Sequence, residues 1–422
     1  MYNLNKKQLE AVNSTADNIL IIAPAGSGKT STLVEAIKKY KTDNPDARVV
    51  AITFTRKSAD DLKVRLSGYG NVNPSTIHSW AYQELEKLSE RLRNEDPNNT
   101  FKVKLLQDEK IKEILTDLVK KRRYFYIKVD ILFSYVMGNY NMDISDKLKS
   151  MFKAVHEDYI NYKDYHGLYD FTDLPQYLFD KLSDYDRRIE DIDGLFVDEF
   201  QDVDDVQLDL FERVDAAKKF YIGDPQQSIY IFRGASEEVM KRLKNFKKYN
   251  LDKNYRSNQE IIDFATTFQN NAVFDPILFS AQLESYQSTI IANKGQGGEV
   301  YVVNRGASGY KVNEYIKYDG EKIVKKFMKY NPMILCRTNK EVRAIKKLGF
   351  EKVQTIHQAK GLEYPYVIIT DFEIRGIEDI NIAYVGMTRA EKGLLCINST
   401  VFIKLLEKCQ GEIKSEVLES LF

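Results

Sequence analysis

Ile19-Leu20-Ile21-Ile22-Ala23-Pro24-Ala25-Gly26-Ser27-Gly28-Lys29-Thr30-Ser31-Thr32 decides the fold. Four apolar residues feed a loop of small residues, and the loop opens directly into a helical pattern. That order is strand, phosphate-binding loop, helix, with Ala23 where the usual pattern has its first glycine. Gly26 and Gly28 allow backbone N–H groups to turn inward around phosphate oxygens, and the new helix points its positive end at them. The nucleotide-binding set is then Ala25, Gly26, Ser27, Gly28, Lys29, Thr30 and Ser31, with Lys29 on the β- and γ-phosphates and the Thr30 hydroxyl on Mg²⁺. The stretch implies ATP-type binding and leaves open what the energy does.

A chain of 422 residues is long enough for two or more domains with sizeable cores. It carries 62 basic and 62 acidic residues, so its formal net charge is zero. A nucleic-acid site must therefore be a local basic groove. Cys336, Cys396 and Cys409 are scattered without metal-ligand spacing, which fits a reduced cytoplasmic protein with no structural zinc. No run is long and apolar enough for a membrane helix, and the N-terminus lacks a signal-peptide pattern. The 27 tyrosines and 22 phenylalanines serve mainly as core, but aromatic rings also stack on bases.

Outward from the loop the pattern is α/β. Residues 4–12 read as an amphipathic helix with Asn5 as its cap. Residues 47–54 read as a buried strand, 56–66 as a helix, and a short segment ends at Thr76-Ile77-His78-Ser79-Trp80. From 81 to 169 helical patterns dominate (82–93, 106–121, 146–162), which predicts a helical insertion. Within it Lys120-Lys121-Arg122-Arg123-Tyr124 reads either as a solvated helix end or as a contact for a nucleic-acid backbone. The α/β rhythm resumes with strands expected over 194–198, 219–222, 299–303, 333–336, 354–356, 366–370 and 394–397. Residues 270–298 have no legible pattern, and the stretch after Ser399 reads as a terminal amphipathic helix.

A phosphate-binding loop needs a carboxylate partner at a neighbouring strand end. Leu195-Phe196-Val197-Asp198-Glu199 supplies one: Asp198 for the Mg²⁺ shell and Glu199 as general base on the attacking water. Hydrolysis also needs positive charge on the γ-phosphate, worth about 10³–10⁵ in rate. Arg256 follows Asn254-Tyr255, and Arg389 lies in Tyr384-Val385-Gly386-Met387-Thr388-Arg389-Ala390. Taken singly, each arginine also reads as a surface ion pair; together they form a set.

Motif by motif the chain resembles a superfamily 1 DNA helicase of the UvrD/Rep/PcrA type. Gln8 resembles the adenine-reading glutamine, residues 53–57 and 76–79 the first DNA-contacting motifs, and 169–174 the family's DFDDL segment. Residues 198–202, 223–235, 254–257, 337–339, 355–363 and 384–390 complete the set in family order. The resemblance implies two RecA-like parallel-sheet domains: residues 1–80 with 170–252, and residues 253–422. It makes 81–169 the first accessory insertion. It further implies that Gln227 senses the γ-phosphate, that Tyr255 stacks on adenine and that Glu363 contacts ribose. Phe54, Tyr230 and Phe232 become base-stacking residues. Thr55, Thr76, His78, Arg233, Arg337, Asn339 and His357 line the single-strand path. The aromatics also read as core, and His78 and His357 as structural hydrogen-bonding groups.

Two departures stand out. Phe232 replaces the family's usual tryptophan, and about fifteen residues separate Asn339 from Thr355 where the family inserts a second accessory domain. The implied activity is ATP-dependent, 3′→5′ movement on single-stranded DNA, with roles in repair, replication or recombination. The implied substrates include single/double-strand junctions and forks. The short spacing keeps open a remodeller of branched DNA, and the compact size keeps open a nucleotide-gated binding module.

Overall fold

A computed structural model describes residues 4–138, 144–229, 239, 242–273, 290–304, 320–370 and 377–398. The chain opens with α1 (Lys6–Val12), β1 (Asn18–Ile22), α2 (Lys29–Asp43), β2 (Val49–Thr53), α3 (Arg56–Arg65) and β3 (Val72–Thr76). A helical run follows: α4 (Ile77–Glu95), α5 (Asp108–Lys121), α6 (Val129–Val136), α7 (Asp146–His166) and α8 (Leu174–Asp184). Then come β4 (Gly194–Val197), α9 (Asp205–Glu212), β5 (Lys218–Gly223), β6 (Lys247–Asn250), β7 (Lys253–Asn254), α10 (Gln259–Val273), β8 (Ile291–Ala292) and β9 (Glu299–Asn304). The chain continues through α11 (Gly320–Met328), β10 (Met333–Cys336), α12 (Asn339–Lys347), β11 (Val353–Thr355) and α13 (Ile356–Ala359). It closes with β12 (Tyr364–Thr370), α14 (Ile377–Met387) and β13 (Ala390–Asn398).

These elements pack into two compact units. One holds residues 1–36, 199–202 and 220–422, here the P-loop unit; the other, the helical unit, holds 37–198 and 203–219.

In the helical unit the strands run β3-β2-β4, with both pairings parallel. All five residues of β2 (Val-Val-Ala-Ile-Thr) are buried, as a parallel strand covered on both faces requires. Thr55 and Thr76, the residues that end or follow β2 and β3, cap α3 and α4 by accepting from Ser58 N–H and Ser79 N–H. Helix α4 starts at Ile77 and runs unbroken to Glu95, so it begins five residues earlier than the sequence pattern suggests. The Thr76 cap sets that start. Helices α5, α6 and α7 enclose a core of their own around Leu115, Leu132, Phe152, Val155 and Tyr159. Gly167, at φ +61°, ends α7 in the left-handed conformation a glycine adopts without strain.

In the P-loop unit β1 lies between β5 and β6, and its pairing with β6 is parallel. A five-stranded sheet runs β11-β10-β12-β13-β9, parallel throughout. Its two faces are covered by separate cores, one with Ile356, Val385 and Leu394 and one with Val324, Phe327 and Leu395. The architecture is α/β with parallel sheets and a run of helices between β3 and β4, in keeping with the fold class implied by the sequence. Strands β6, β7 and β8 escape sequence reading because they are short and polar or half-exposed. Between Asn339 and Thr355 there is only α12, a turn and β11.

The two units repeat one local device. In each, two neighbouring parallel strands deliver a threonine cap and a helix: β2 to Thr55 and β3 to Thr76, then β10 to Thr338 and β11 to Thr355. Thr-Ile-His follows the same path at 76–78 and 355–357, placing each histidine second in its helix.

Candidate functional site

The loop after β1 closes on itself and on the start of the chain. Ser27 N–H donates to Pro24 O at 3.1 Å, and Thr32 donates from both N–H and hydroxyl to Gly28 O at 2.9 Å. Gly26 has φ +70°, and a Cβ there would stand 2.7 Å from the Asn254 side chain. Gly28 has φ +80°, with its would-be Cβ 3.0 Å from Gln8 Nε2. Both glycines are thus required twice, by backbone conformation and by space. Gln8 is buried and forms a capping box with Asn5. Its Nε2 donates to Ser27 O at 3.0 Å and to Thr32 Oγ1 at 3.1 Å. The glutamine therefore ties α1 to the loop. Tyr255 lies beside it: its hydroxyl accepts from Asn5 Nδ2 at 2.9 Å, and its N–H donates to Gly26 O at 2.8 Å. Lys29, Thr30 and Ser31 form the first turn of α2.

Glu199 sits just past β4 with φ +52°, a strained conformation for a residue with a side chain. Lys29 Nζ is 4.0 Å from its carboxylate, and Gln201 Nε2 donates to it at 2.6 Å. Burial would raise its pKa, but Lys29, Lys360, the Gln201 amide and Arg389 outweigh that and hold it well below the ordinary glutamate value. Glu199 is therefore ionised at neutral pH, as an acceptor for a water proton must be. Asp198 belongs to the helical unit; it is 5% exposed, and its N–H donates to Ile52 O at 2.8 Å. Thr30 and Asp198 each carry a hard oxygen donor of the kind Mg²⁺ takes, so the chemistry of each residue fits the ion.

Gln227 is the hub of the P-loop unit. It is 3% exposed; its Nε2 donates to Asp224 Oδ2 at 2.5 Å, and its Oε1 accepts from Arg389 Nη2 at 3.2 Å. Its carbonyl accepts from Lys360 Nζ at 3.1 Å, and the same ammonium pairs with Asp202. Burial pushes Asp202 up to about 6 against the pull of Lys360. Arg389 is 1% exposed and also donates to Val385 O and Leu362 O. Burial and the nearby Arg256 charge push its pKa down, against the pull of Glu199. Arg256 donates from Nε to Glu363 Oε2 at 2.9 Å and from Nη1 to Thr388 O at 3.1 Å. Lys29, Glu199, Gln227, Arg256, Glu363 and Arg389, spread over 360 positions of sequence, thus fall in one compact unit.

The residues expected along the single-strand path fall in two groups. In the helical unit Thr55 and Thr76 are helix caps, Phe54 is half-buried beside them, and His78 stacks on Phe171. The two ring centroids are 5.4 Å apart at 15°. In the P-loop unit Arg337 pairs with Asp379 at 2.7 Å, Asn339 opens α12, and His357 lies in α13 half-buried. Tyr230, Phe232 and Arg233 lie outside the described residues.

Three positioning residues have no role legible in the sequence alone. Asn254, 2% exposed, donates to Ala25 O at 2.7 Å and accepts from Arg256 N–H and Ser257 N–H at 2.8 Å, so one side chain holds both the loop and the arginine. Lys360 joins Asp202 to Gln227. Phe171 is 43% exposed and stands on a short turn anchored by Asp170 and Asp173, both held by the buried Lys163 at 2.8 and 2.5 Å. Asn254 and Lys360 lie inside motif segments, but only the fold shows what their side chains bridge. Phe171 carries no signal beyond its place in the 169–174 segment.

Two family profiles match this chain. The UvrD/REP helicase N-terminal domain matches residues 4–248, and the UvrD-like helicase C-terminal domain matches 353–397. Among curated relatives, "ATP-dependent DNA helicase Rep" of Buchnera aphidicola (strain APS) is 29% identical over 351 residues, covering 75% of this chain and 53% of the relative. "Probable DNA helicase" of Mycoplasma pneumoniae is 25% identical over 473 residues, covering 97% and 88%. "DNA helicase II" of Escherichia coli K12 is 28% identical over 301 residues, covering 64% and 40%. The chain thus spans about half the length of the Rep relative and less of DNA helicase II. With the N-terminal profile running over more than half of its residues, the chain belongs to the UvrD/REP helicase family.

Proposed function

We propose that this chain is an ATP-dependent DNA helicase and translocase that moves 3′→5′ on single-stranded DNA. The proposed organisation is two RecA-like domains, residues 1–80 with 170–252 and residues 253–422, with 81–169 as a helical accessory insertion. The observation that carries this reading is the hydrogen-bonded hub at Gln227, which touches Arg389, Asp224 and Lys360 at once. A group so placed registers a change at the γ-phosphate and passes it to every segment it holds.

In this reading Gln8 and Tyr255 hold the base, Glu363 the ribose, and the amides from Ala25 to Ser31 the phosphates. Thr30 and Asp198 would hold Mg²⁺, which when bound neutralises charge on the β- and γ-phosphate oxygens. Glu199 accepts a proton from the attacking water, and Lys29, Arg256 and Arg389 stabilise the charge developing on the γ-phosphoryl group. Arg256 is held by Glu363, the ribose partner, so occupation of the ribose site frees the guanidinium for the phosphate. His78, Phe171 and Phe54 give unpaired bases a stacking surface, and stacking is tolerant of sequence.

Lys29→Ala and Glu199→Gln test the assignment through DNA-stimulated ATP hydrolysis. Both variants lose turnover by about 10³-fold or more, and Glu199→Gln still binds ATP. Undiminished turnover in Glu199→Gln would sink the base assignment. The single helix between Asn339 and Thr355 favours a second reading, in which the enzyme remodels forks or branched DNA more readily than it unwinds long duplex.

A further inference from the structure

Residues 120–128, Lys-Lys-Arg-Arg-Tyr-Phe-Tyr-Ile-Lys, close α5 and lead into α6 in the helical unit. They carry five cations and no acid in a chain whose net charge is zero. The turn is held by several hydrogen bonds. Arg122 forms a bidentate pair with Asp158 on α7 at 2.5 and 2.8 Å. Arg123 N–H donates to Lys120 O, Tyr124 N–H to Val119 O and Ile127 N–H to Tyr124 O, all at 2.9–3.0 Å. Ile127 is buried in the core of the helical insertion, and Tyr124 packs on its edge.

That frame sends the remaining side chains outward. Arg123 takes φ +57°, a strained value that reverses the chain. Phe125 is then 74% exposed and Tyr126 63%, although the Tyr126 hydroxyl is tied to Met151 Sδ at 2.7 Å. Lys120 is paired with Asp117 and Arg122 with Asp158. Among the described residues, the side chains of Lys121, Arg123 and Lys128 have no hydrogen-bond or ion-pair partner.

Two exposed aromatic rings adjacent in the chain, with three exposed cations within five residues of them, suit a ligand that is both anionic and flat-faced. Nucleic acid is that ligand: phosphates take the cations and bases take the rings. Bases inside a duplex are already stacked on each other, so the free faces must come from an unpaired strand. We propose that residues 120–128 form an auxiliary site for single-stranded DNA, separate in its residues from the His78–Phe171 pair. The site rests on the proposed function only in taking DNA rather than RNA as its strand.

Phe125→Trp in the full chain provides a local probe, because the sole native tryptophan, Trp80, is fully buried. Titration with oligo(dT) should quench the new fluorophore to saturation, equally well when His78→Ala and Phe171→Ala are added. Adding K121E, R123E and K128E should weaken that quenching roughly tenfold or more and lower the salt slope by about 2, for three phosphates lost from a single strand. Absence of quenching, quenching that ignores the charge reversals, or equal quenching by blunt duplex would each overturn the proposal. Quenching that persists in a chain whose ATP hydrolysis ignores oligo(dT) upholds this site while removing the motor reading. DNA-stimulated hydrolysis without quenching does the reverse.

Discussion

Asp202 shows how a single buried carboxylate sets a measurable property. Its pKa is pushed up from an ordinary 3.8 to about 6, because burial outweighs the Lys360 ammonium beside it. Between pH about 4 and about 6 the folded chain keeps a proton that the unfolded chain has released. Stability therefore falls as pH rises through that window, by about 3 kcal/mol in full. Glu199, whose pKa lies below its ordinary 4.5, slopes the other way at lower pH. Asp202→Asn should flatten the decline, read as urea midpoints at several pH values across the window; an unchanged slope would refute the assignment. At the same scale, Gln8, Asn254 and Gln227 each bond two or more separate segments, so their roles are those of joints.

At the scale of elements, the repeated strand–threonine–helix device places the histidines. Thr76 accepts from Ser79 N–H at 3.4 Å; Thr355 accepts from Gln358 N–H at 3.3 Å and donates its own N–H to Gln358 Oε1 at 3.1 Å. Each threonine thereby fixes the first turn that carries His78 or His357. Thr76→Ala and Thr355→Ala should each cost about 1 kcal/mol in urea unfolding and weaken oligo(dT) binding by fluorescence anisotropy. Threonine-to-serine changes at the same positions should preserve both properties. Loss of stability with unaltered DNA affinity would show that the caps serve the fold alone. Helix α7 has a comparable role: its Lys163 secures Asp170 and Asp173, and so the turn on which Phe171 stands.

At the scale of the whole molecule, the short α12 connection bears on which DNA the proposed helicase would handle. Rates on tailed duplexes, forks and four-way junctions compare the two readings directly. Preference for forks and junctions by about tenfold or more in kcat/KM, some 1.4 kcal/mol in transition-state binding, is the expected result of the remodelling reading. A preference for simple tailed duplex would remove it.

Local pattern alone made legible the strand–loop–helix at 19–32, the parallel α/β plan and the helical run before β4, and it singled out Lys29, Glu199, Arg256 and Arg389 as candidates. Those features are local: an apolar run, a small-residue loop, an acid after a strand, an arginine in a short motif. Most strands were legible for the same reason, since a strand buried on both faces reads as a continuous apolar run. Strands β6 to β8 were not, because their place is set by neighbours rather than by their own polarity. Folding alone makes Asn254 span the loop and Arg256, lets Lys360 join Asp202 to Gln227, and lays Phe171 against His78. Each of those contacts links residues brought together by folding, and a polar side chain gives no sign in sequence of which distant backbone it will satisfy. The loop at 19–32 announced a nucleotide; the fold supplied the side chains that hold the loop in shape and tie it to the arginine.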